Sequence, residues 1–353
     1  MAPTETEATE PTEESDLQVI RIVRESRSVT NDDQVELLCE NQCFSEFSSQ
    51  NEQLQEWVGT VFDRERASFL SKSDNLKQYA ADTIRQFGTD NFYSYSNYQD
   101  QAVIRHDSRV VSLVTLSHIY SGGIHPNAVQ TAENLDLAEN KLLRLEDIIE
   151  SSAVSRLEQL VQDSVRERFN ALGLDAFYED YPETISVSLK YGEMTPYWYF
   201  GHDSLIIFYN QYELGPYAAG IIKVELPYEQ LEGIVKPEYM PQTPQDRSGD
   251  LKILESAEGY REAELIIDPD GSQVVIGATG PVYEVQVSEI FLLNETPVTQ
   301  QMLISIGELS ARDALVITGG VEDSNRTFAV EFSNGSDQKL TYYITTDGFS
   351  DHP

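Results

Sequence analysis

Cysteine is almost absent from this sequence: 353 residues contain two, Cys39 and Cys43. Two thiols cannot staple a small disulfide framework, and structural zinc wants four ligands, so both of those routes to a fold are closed. Basic residues are scarce as well. Against 60 Asp and Glu stand 24 Lys and Arg, a net charge of −36. Phosphate binding needs clustered Lys or Arg, and no cluster is visible, which excludes nucleic acid and anionic lipid as partners. No apolar run approaches the ~20 residues of a membrane span. The N-terminus also lacks the basic-then-apolar order of a signal peptide. P-loop, nucleophile elbow and dinucleotide fingerprint are missing. The five histidines (His106, His118, His125, His202, His352) include no His-x-x-x-His pair and no nearby ligand set, so neither metal nor cofactor is expected. Asp268-Pro269-Asp270-Gly271-Ser272 opens like a calcium loop, but Thr279 stands where the bidentate Glu should be, so it reads as a hairpin turn.

What is present argues for packed structure. Hydrophobic residues make up 40% and there are 19 Tyr and 14 Phe, enough for sizeable cores in two or three domains. Residues 1–16, with six acidic and no basic side chains, cannot bury a core and read as a solvated tether. Leu17–Val23 and Gln34–Leu38 read as strands. Glu46–Phe69 and Asp74–Phe87 carry helical spacing, and the second run stops at Gly88. Asn91–Tyr98 alternates as a half-exposed strand, and Ala102–Arg105 with Arg109–Tyr120 forms a hairpin. Ser152–Leu172 is the clearest helix, its stripe running through Val154, Leu157, Val161 and Val165. Four strands are expected next: Ile185–Leu189, Tyr197–Phe200, Ser204–Tyr209 and Ala219–Leu226. In Tyr197-Trp198-Tyr199-Phe200 alternate rings face opposite sides. Either one pair is exposed as a carbohydrate or protein contact, or the strand is buried on both faces. Pro237, Pro241 and Pro244 mark residues 236–249 as a linker. Short strands without a convincing helix follow to residue 353. The expected fold is α+β: an antiparallel sheet with a few segregated helices over residues 17–235, then an all-β sandwich-like domain over 250–353.

Two stretches carry more than periodicity. Gly122-Gly123-Ile124-His125-Pro126 closes a strand, runs on to Leu135-Asp136-Leu137, and enters a helix through Leu145-Glu146-Asp147-Ile148. Downstream, Tyr212-Glu213-Leu214-Gly215-Pro216-Tyr217-Ala218-Ala219-Gly220 precedes a strand ending in Pro227-Tyr228. Together, in this order, they resemble the signature of the extracellular domain of the anti-sigma-V factor RsiV and of domains that accompany cell-wall polysaccharide deacetylases. The resemblance covers about Asp16 to Tyr239. It implies a binding module in the bacterial cell-wall milieu, whose partner is a basic, lysozyme-type hydrolase or peptidoglycan itself. The deacetylase chemistry does not carry over, because its Asp-Asp pair and His-x-x-x-His are absent; anti-sigma activity does not either, because the sigma-binding segment and membrane span are missing.

On this reading the partner-binding residues are Tyr120, Gly122, Gly123, His125, Pro126, Glu213, Pro216 and Tyr217. The alternative for both motifs is that they only fold the domain, His125 holding its turn through backbone hydrogen bonds. Rival functions are an enzyme acting on wall glycan and a structural spacer. The Thr/Glu/Pro-rich segment 1–16 looks like the spacer behind the lipidated cysteine of a bacterial lipoprotein, so an extracytoplasmic, lipid-anchored chain is expected; an ordinary disordered N-terminus is the alternative. Outside the cell Cys39 and Cys43 would form a disulfide if the chain bends between a strand ending at Leu38 and a helix from about Ser45. Otherwise they are buried thiols.

Overall fold

The computed structural model describes residues 17–49, 51–90, 92–107, 109–172, 177–190, 197–201, 204–241, 249–266, 271–293, 296–319, 326–334, 339–345 and 348–350. The acidic segment 1–16, His202, His352, the 268–270 turn and positions 242–248 of the expected linker lie outside them.

The chain begins with two long strands, β1 (Leu17–Thr30) and β2 (Glu36–Ser49), followed by α1 (Glu52–Phe87). Next come β3 (Tyr95–His106), β4 (Val110–Tyr120), β5 (Asn127–Asp136) and the short β6 (Lys141–Leu142). Helices α2 (Leu145–Ile148), α3 (Val154–Leu172) and α4 (Tyr181–Lys190) precede a meander of β7 (Tyr197–Phe200), β8 (Ser204–Tyr209) and β9 (Ile222–Pro227). The remainder is all strand: β10 (Leu251–Leu254), β11 (Arg261–Ile266), β12 (Gln273–Ala278), β13 (Val282–Leu293), β14 (Thr296–Leu309), β15 (Asp313–Thr318), β16 (Arg326–Ser333), β17 (Lys339–Thr345) and β18 (Gly348–Ser350). The fold is α+β with a β-rich C-terminal region.

Residues expected to form two helices form one. Leu54, Val58, Val61, Phe69, Ser73, Leu76 and Ala80 are its buried stripe, spaced by threes and fours except for one step of eight, two fours, from Val61 to Phe69, so one buried face runs the length of the helix. Ser73 lies in the gap between the two expected runs. It is buried here and takes a hydrogen bond from Asn97 Nδ2 at 2.8 Å. Asn51 caps the start by accepting from Gln53 N and Leu54 N, and Gly88 ends the helix at φ +78°. The strand expected at Ile185–Leu189 is instead the second half of α4. Pro182 in its first turn suits a helix start, and Tyr181, Ile185 and Ser188 are buried at helical spacing.

The cysteine expectation is also overturned. β2 continues through Ser49 without the bend a bridge would need, so residues 39 and 43 are held ~13 Å apart at strand rise. No disulfide joins them. Cys43 is buried and its Sγ donates to Leu303 O at 3.2 Å, while Tyr98 Oη donates to Cys39 Sγ at 3.4 Å.

One sheet runs across the expected domain boundary, in the order β10-β12-β15-β11-β1-β2-β3-β4-β5-β6. Its unforeseen joint is the parallel pairing of β1 with β11, Arg21 to Val23 against Glu264 to Ile266. The β10–β12–β15–β11 end packs face to face with a five-stranded antiparallel sheet, β14-β13-β16-β17-β18, around Leu265, Ile276, Ile317, Val287, Phe328 and Val330. This is the expected sandwich, but half of it belongs to the sheet of the first region. The linker's opening is packed as well. Pro237–Tyr239 is a 3-10 turn that buries Tyr239.

The meander β7-β8-β9 is a separate three-stranded sheet. One face (Trp198, Phe200, Leu205, Ile207, Val224) packs on α3 and α4 through Leu157, Val161 and Ile185. The other (Tyr199, Ile206, Phe208) packs on Val114, Ile104 and Ala132 of the large sheet. The aromatic run is thus buried on both faces, and only its first ring, Tyr197, reaches solvent.

Candidate functional site

The first motif is the tip of the β4–β5 hairpin, beyond the last register pair Ile119–Asn127. Gly122 and Gly123 take φ +90° and +108°, which L side chains rarely adopt, so both glycines are required by the backbone. Tyr120 Oη donates to Gly123 O at 3.2 Å, His125 Nδ1 lies 3.0 Å from Pro126 O, and Ile124 is wholly exposed.

The second motif joins β8 to β9, strands of another sheet. Its anchor is Asn210, which is buried. The Asn210 amide accepts from Gln130 N at 2.8 Å and donates to Gln130 O at 3.0 Å, so one side chain pairs with β5 as a strand would. Gln211 Oε1 adds a bond from Ala128 N at 3.3 Å. Glu213 turns back to accept from Asn210 N at 2.6 Å, and burial raises its pKa while that bond opposes the rise. It therefore braces the turn. Leu214 is buried and its carbonyl accepts from Tyr178 N. Pro216 starts the 3-10 turn Tyr217–Ala219, which Gly220 ends at φ +68°.

These anchors bring the two motifs into contact. The His125 and Tyr217 rings stack with centroids 3.6 Å apart at 20°, and Tyr217 Oη donates to Pro126 O at 3.1 Å. Tyr212 follows at 6.0 Å from Tyr217, half exposed and in a left-handed conformation at φ +69°. Of the expected residues, Tyr120, His125, Pro126 and Tyr217 meet at one surface. Gly122, Gly123 and Pro216 shape it, and Glu213 lies beneath it. Ile124 and Tyr212 join it. Both stand inside the motifs, but nothing in residue type alone singles them out.

At the opposite end of the same hairpin, the Leu135-Asp136-Leu137 part of the first motif has a structural role. Asp136, the acid of Leu135-Asp136-Leu137, is fully buried. Its Oδ2 accepts from Arg109 Nη2 at 2.7 Å and Tyr239 Oη at 3.0 Å, and its Oδ1 from Ala138 N and Glu139 N at 3.0 Å each. Nearby the buried Arg105 donates to Asp107 Oδ2, Tyr239 O and Tyr228 Oη.

Two clefts flank α1. One, lined by Glu65, Lys72, Thr115, Thr131, Glu133 and Tyr197 among others, lies over β4 and β5. There burial pushes Glu133 up to about 7, helped by the Glu65 carboxylate, although the Arg64 guanidinium that pairs with it pulls the other way. The other lies between α1 and strands β2 and β3. Among the described residues no group of three or more His, Cys, Asp or Glu could hold a metal ion, and no helix is long and apolar enough to cross a membrane.

Residues 146–229 match the family model DUF3298, a protein family of unknown function. The match runs from α2 through β9, so it takes in the second motif and not the first. No curated protein matches the chain. Among solved structures, a DUF3298 family member from Bacteroides fragilis is 18% identical, with a TM-score of 0.46, covering 64% of this chain and 95% of that one. A DUF3298 family protein from Pseudomonas aeruginosa is 20% identical, with a TM-score of 0.43, covering 63% of this chain and 96% of that one.

Proposed function

We propose that this chain is a bacterial cell-surface binding module, tethered to the envelope by a lipid anchor ahead of its acidic N-terminal segment. Its joined loops dock a basic, lysozyme-type hydrolase. The observation that carries the reading is the His125–Tyr217 stack, because it fuses two sequence-distant motifs into one exposed surface with Ile124 at its crest. Loops held by glycine, proline and side-chain anchors lose little entropy on binding, which suits recognition. Tyrosine is a frequent interface hot spot. The net charge of −36 favours a basic partner and would speed its association at low salt. The RsiV resemblance of the same two motifs supports the choice of a lysozyme-type protein over other basic proteins.

The test is lysozyme binding by the single variants Ile124→Asp, His125→Ala and Tyr217→Ala at two salt concentrations, beside thermal melting. Ile124 touches nothing that folding needs, so Ile124→Asp isolates docking. Weakening of about tenfold or more with unchanged melting supports the surface; full-strength binding by all three variants removes it. A rival reading, an enzyme acting on wall glycan, draws on Glu65 and Glu133 sharing a cleft. Peptidoglycan turnover that disappears in Glu133→Gln would favour that rival.

A further inference from the structure

The cleft between α1 and strands β2 and β3 has about 260 Å³ of space. Its floor is unusual for a sheet covered by a helix. Gln42, Gln99 and Gln101 are 2%, 3% and 5% exposed, side by side on β2 and β3 where apolar residues would normally pack. Gln101 is partly used, its Oε1 accepting from Ser45 N at 3.2 Å. The side-chain amides of Gln42 and Gln99 make no hydrogen bond among the described residues. Neither amide is sealed away from the cleft, so the two stand side by side, turned to an open space, and can exchange water for the hydroxyl groups of a ligand.

A second, independent feature keeps that space open. Gly59 lies inside α1 and lines the cleft, and a Cβ built on it would meet nothing within 4 Å. Glycine within a helix is destabilising relative to alanine. No neighbour here demands its small size, so what it preserves is the cleft itself. One wall is the stacked pair Phe47 and Phe62, centroids 4.9 Å apart.

We propose that this cleft binds one neutral pyranose ring, its hydroxyls on the amides of Gln42, Gln99 and Gln101 and its C–H face on the Phe47–Phe62 wall. Each amide offers both donors and acceptors, matching hydroxyls that do the same. The space falls below the roughly 300 Å³ at which pockets begin to hold drug-sized ligands, which limits the occupant to about one ring. The lining carries Glu46, Asp63 and Glu65 against Arg66 alone, and Arg66 is already taken up by Glu25, so an anionic sugar is disfavoured. The site stands apart from the loop surface and does not depend on the docking reading.

The experiment is a titration of the full chain with N-acetylglucosamine, glucose and the anionic N-acetylmuramic acid. It follows the side-chain amide resonances of Gln42 and Gln99, assigned from their loss in Gln42→Leu and Gln99→Leu. The expected result is saturable, millimolar binding of a neutral sugar that shifts both amides, with the anionic sugar weaker. Gln99→Leu should weaken binding about tenfold, the effect of losing one buried hydrogen bond. Gly59→Leu should fill the cleft and abolish binding while melting no lower than wild type. Amides unmoved by any neutral sugar would overturn the proposal, and so would undiminished binding in Gly59→Leu.

Discussion

Asp136 is the residue whose loss should be felt furthest. Asp136→Ala removes a carboxylate that is fully buried and holds four partners: the Arg109 guanidinium, the Tyr239 hydroxyl and two backbone N–H groups of the β5–β6 turn. Its loss leaves the Tyr239 hydroxyl and two N–H groups without their charged acceptor, while Arg109, partly exposed, keeps Glu139 at 3.7 Å; together this costs about 3–5 kcal/mol. Unfolding entropy of about 2.1 cal/mol/K per residue over 353 residues makes 1 kcal/mol worth ~1.3 °C, so the melting temperature should fall by roughly 4–7 °C. Tyr239→Phe loses the hydrogen bond to Asp136 and the longer one from Arg109 Nη2 at 3.4 Å, about 1.5–2 kcal/mol together. Because both changes empty the same site, the double variant should cost less than the sum of the singles by ~1 kcal/mol. Urea unfolding and thermal melting of the three variants measure this. A loss under ~1 kcal/mol for Asp136→Ala would refute the reasoning, since it would mean that water replaces the carboxylate in the native state.

Thiol titration of protein unfolded without reductant should count two thiols, and the native protein should protect Cys43 more than Cys39; fewer than two on unfolding would restore the disulfide. Glu133, near 4.5 when unfolded and about 7 when folded, favours the fold in its protonated form. Its contribution is present below pH ~4.5 and lost as pH rises through ~7, so Glu133→Gln should gain on wild type by on the order of 1–2 kcal/mol between pH 4.5 and 8. A melting difference that does not change with pH would contradict that. Gly122→Ala must hold a Cβ at φ +90°, costing about 1–2 kcal/mol in melting, and an unchanged melting curve would show the turn relaxes freely.

The sequence reading reaches as far as local signals do. The stripe of α3, the β4–β5 hairpin and the three strands of the meander follow from period and turn chemistry alone, and so does the need for glycine at 122 and 123. It fails where a distant partner decides. Leu17–Val23 is legible as a strand, but nothing in it announces a parallel partner some 240 residues on, so the sheet is cut in sequence where it is continuous in space. The helix reads as broken between Phe69 and Asp74 because the partner that buries Ser73, Asn97, lies on the following strand. Ile-Ser-Val-Ser-Leu alternates like a strand, and only Pro182 and the packing of Ile185 on α3 make it a helix. The site divides in the same way. Both loops are visible as motifs, and sequence order permits the strands they adjoin to be neighbours in one sheet. Their strands instead belong to different sheets, and they meet because the Asn210 amide imitates a strand edge against Gln130. An asparagine at a turn has many commoner uses. Likewise Gln42 and Gln99 fall just outside the strands legible in the sequence, and only the covering of β2 and β3 by α1 buries them. In each case the residue type is ordinary, and its meaning comes from the group it faces across the fold.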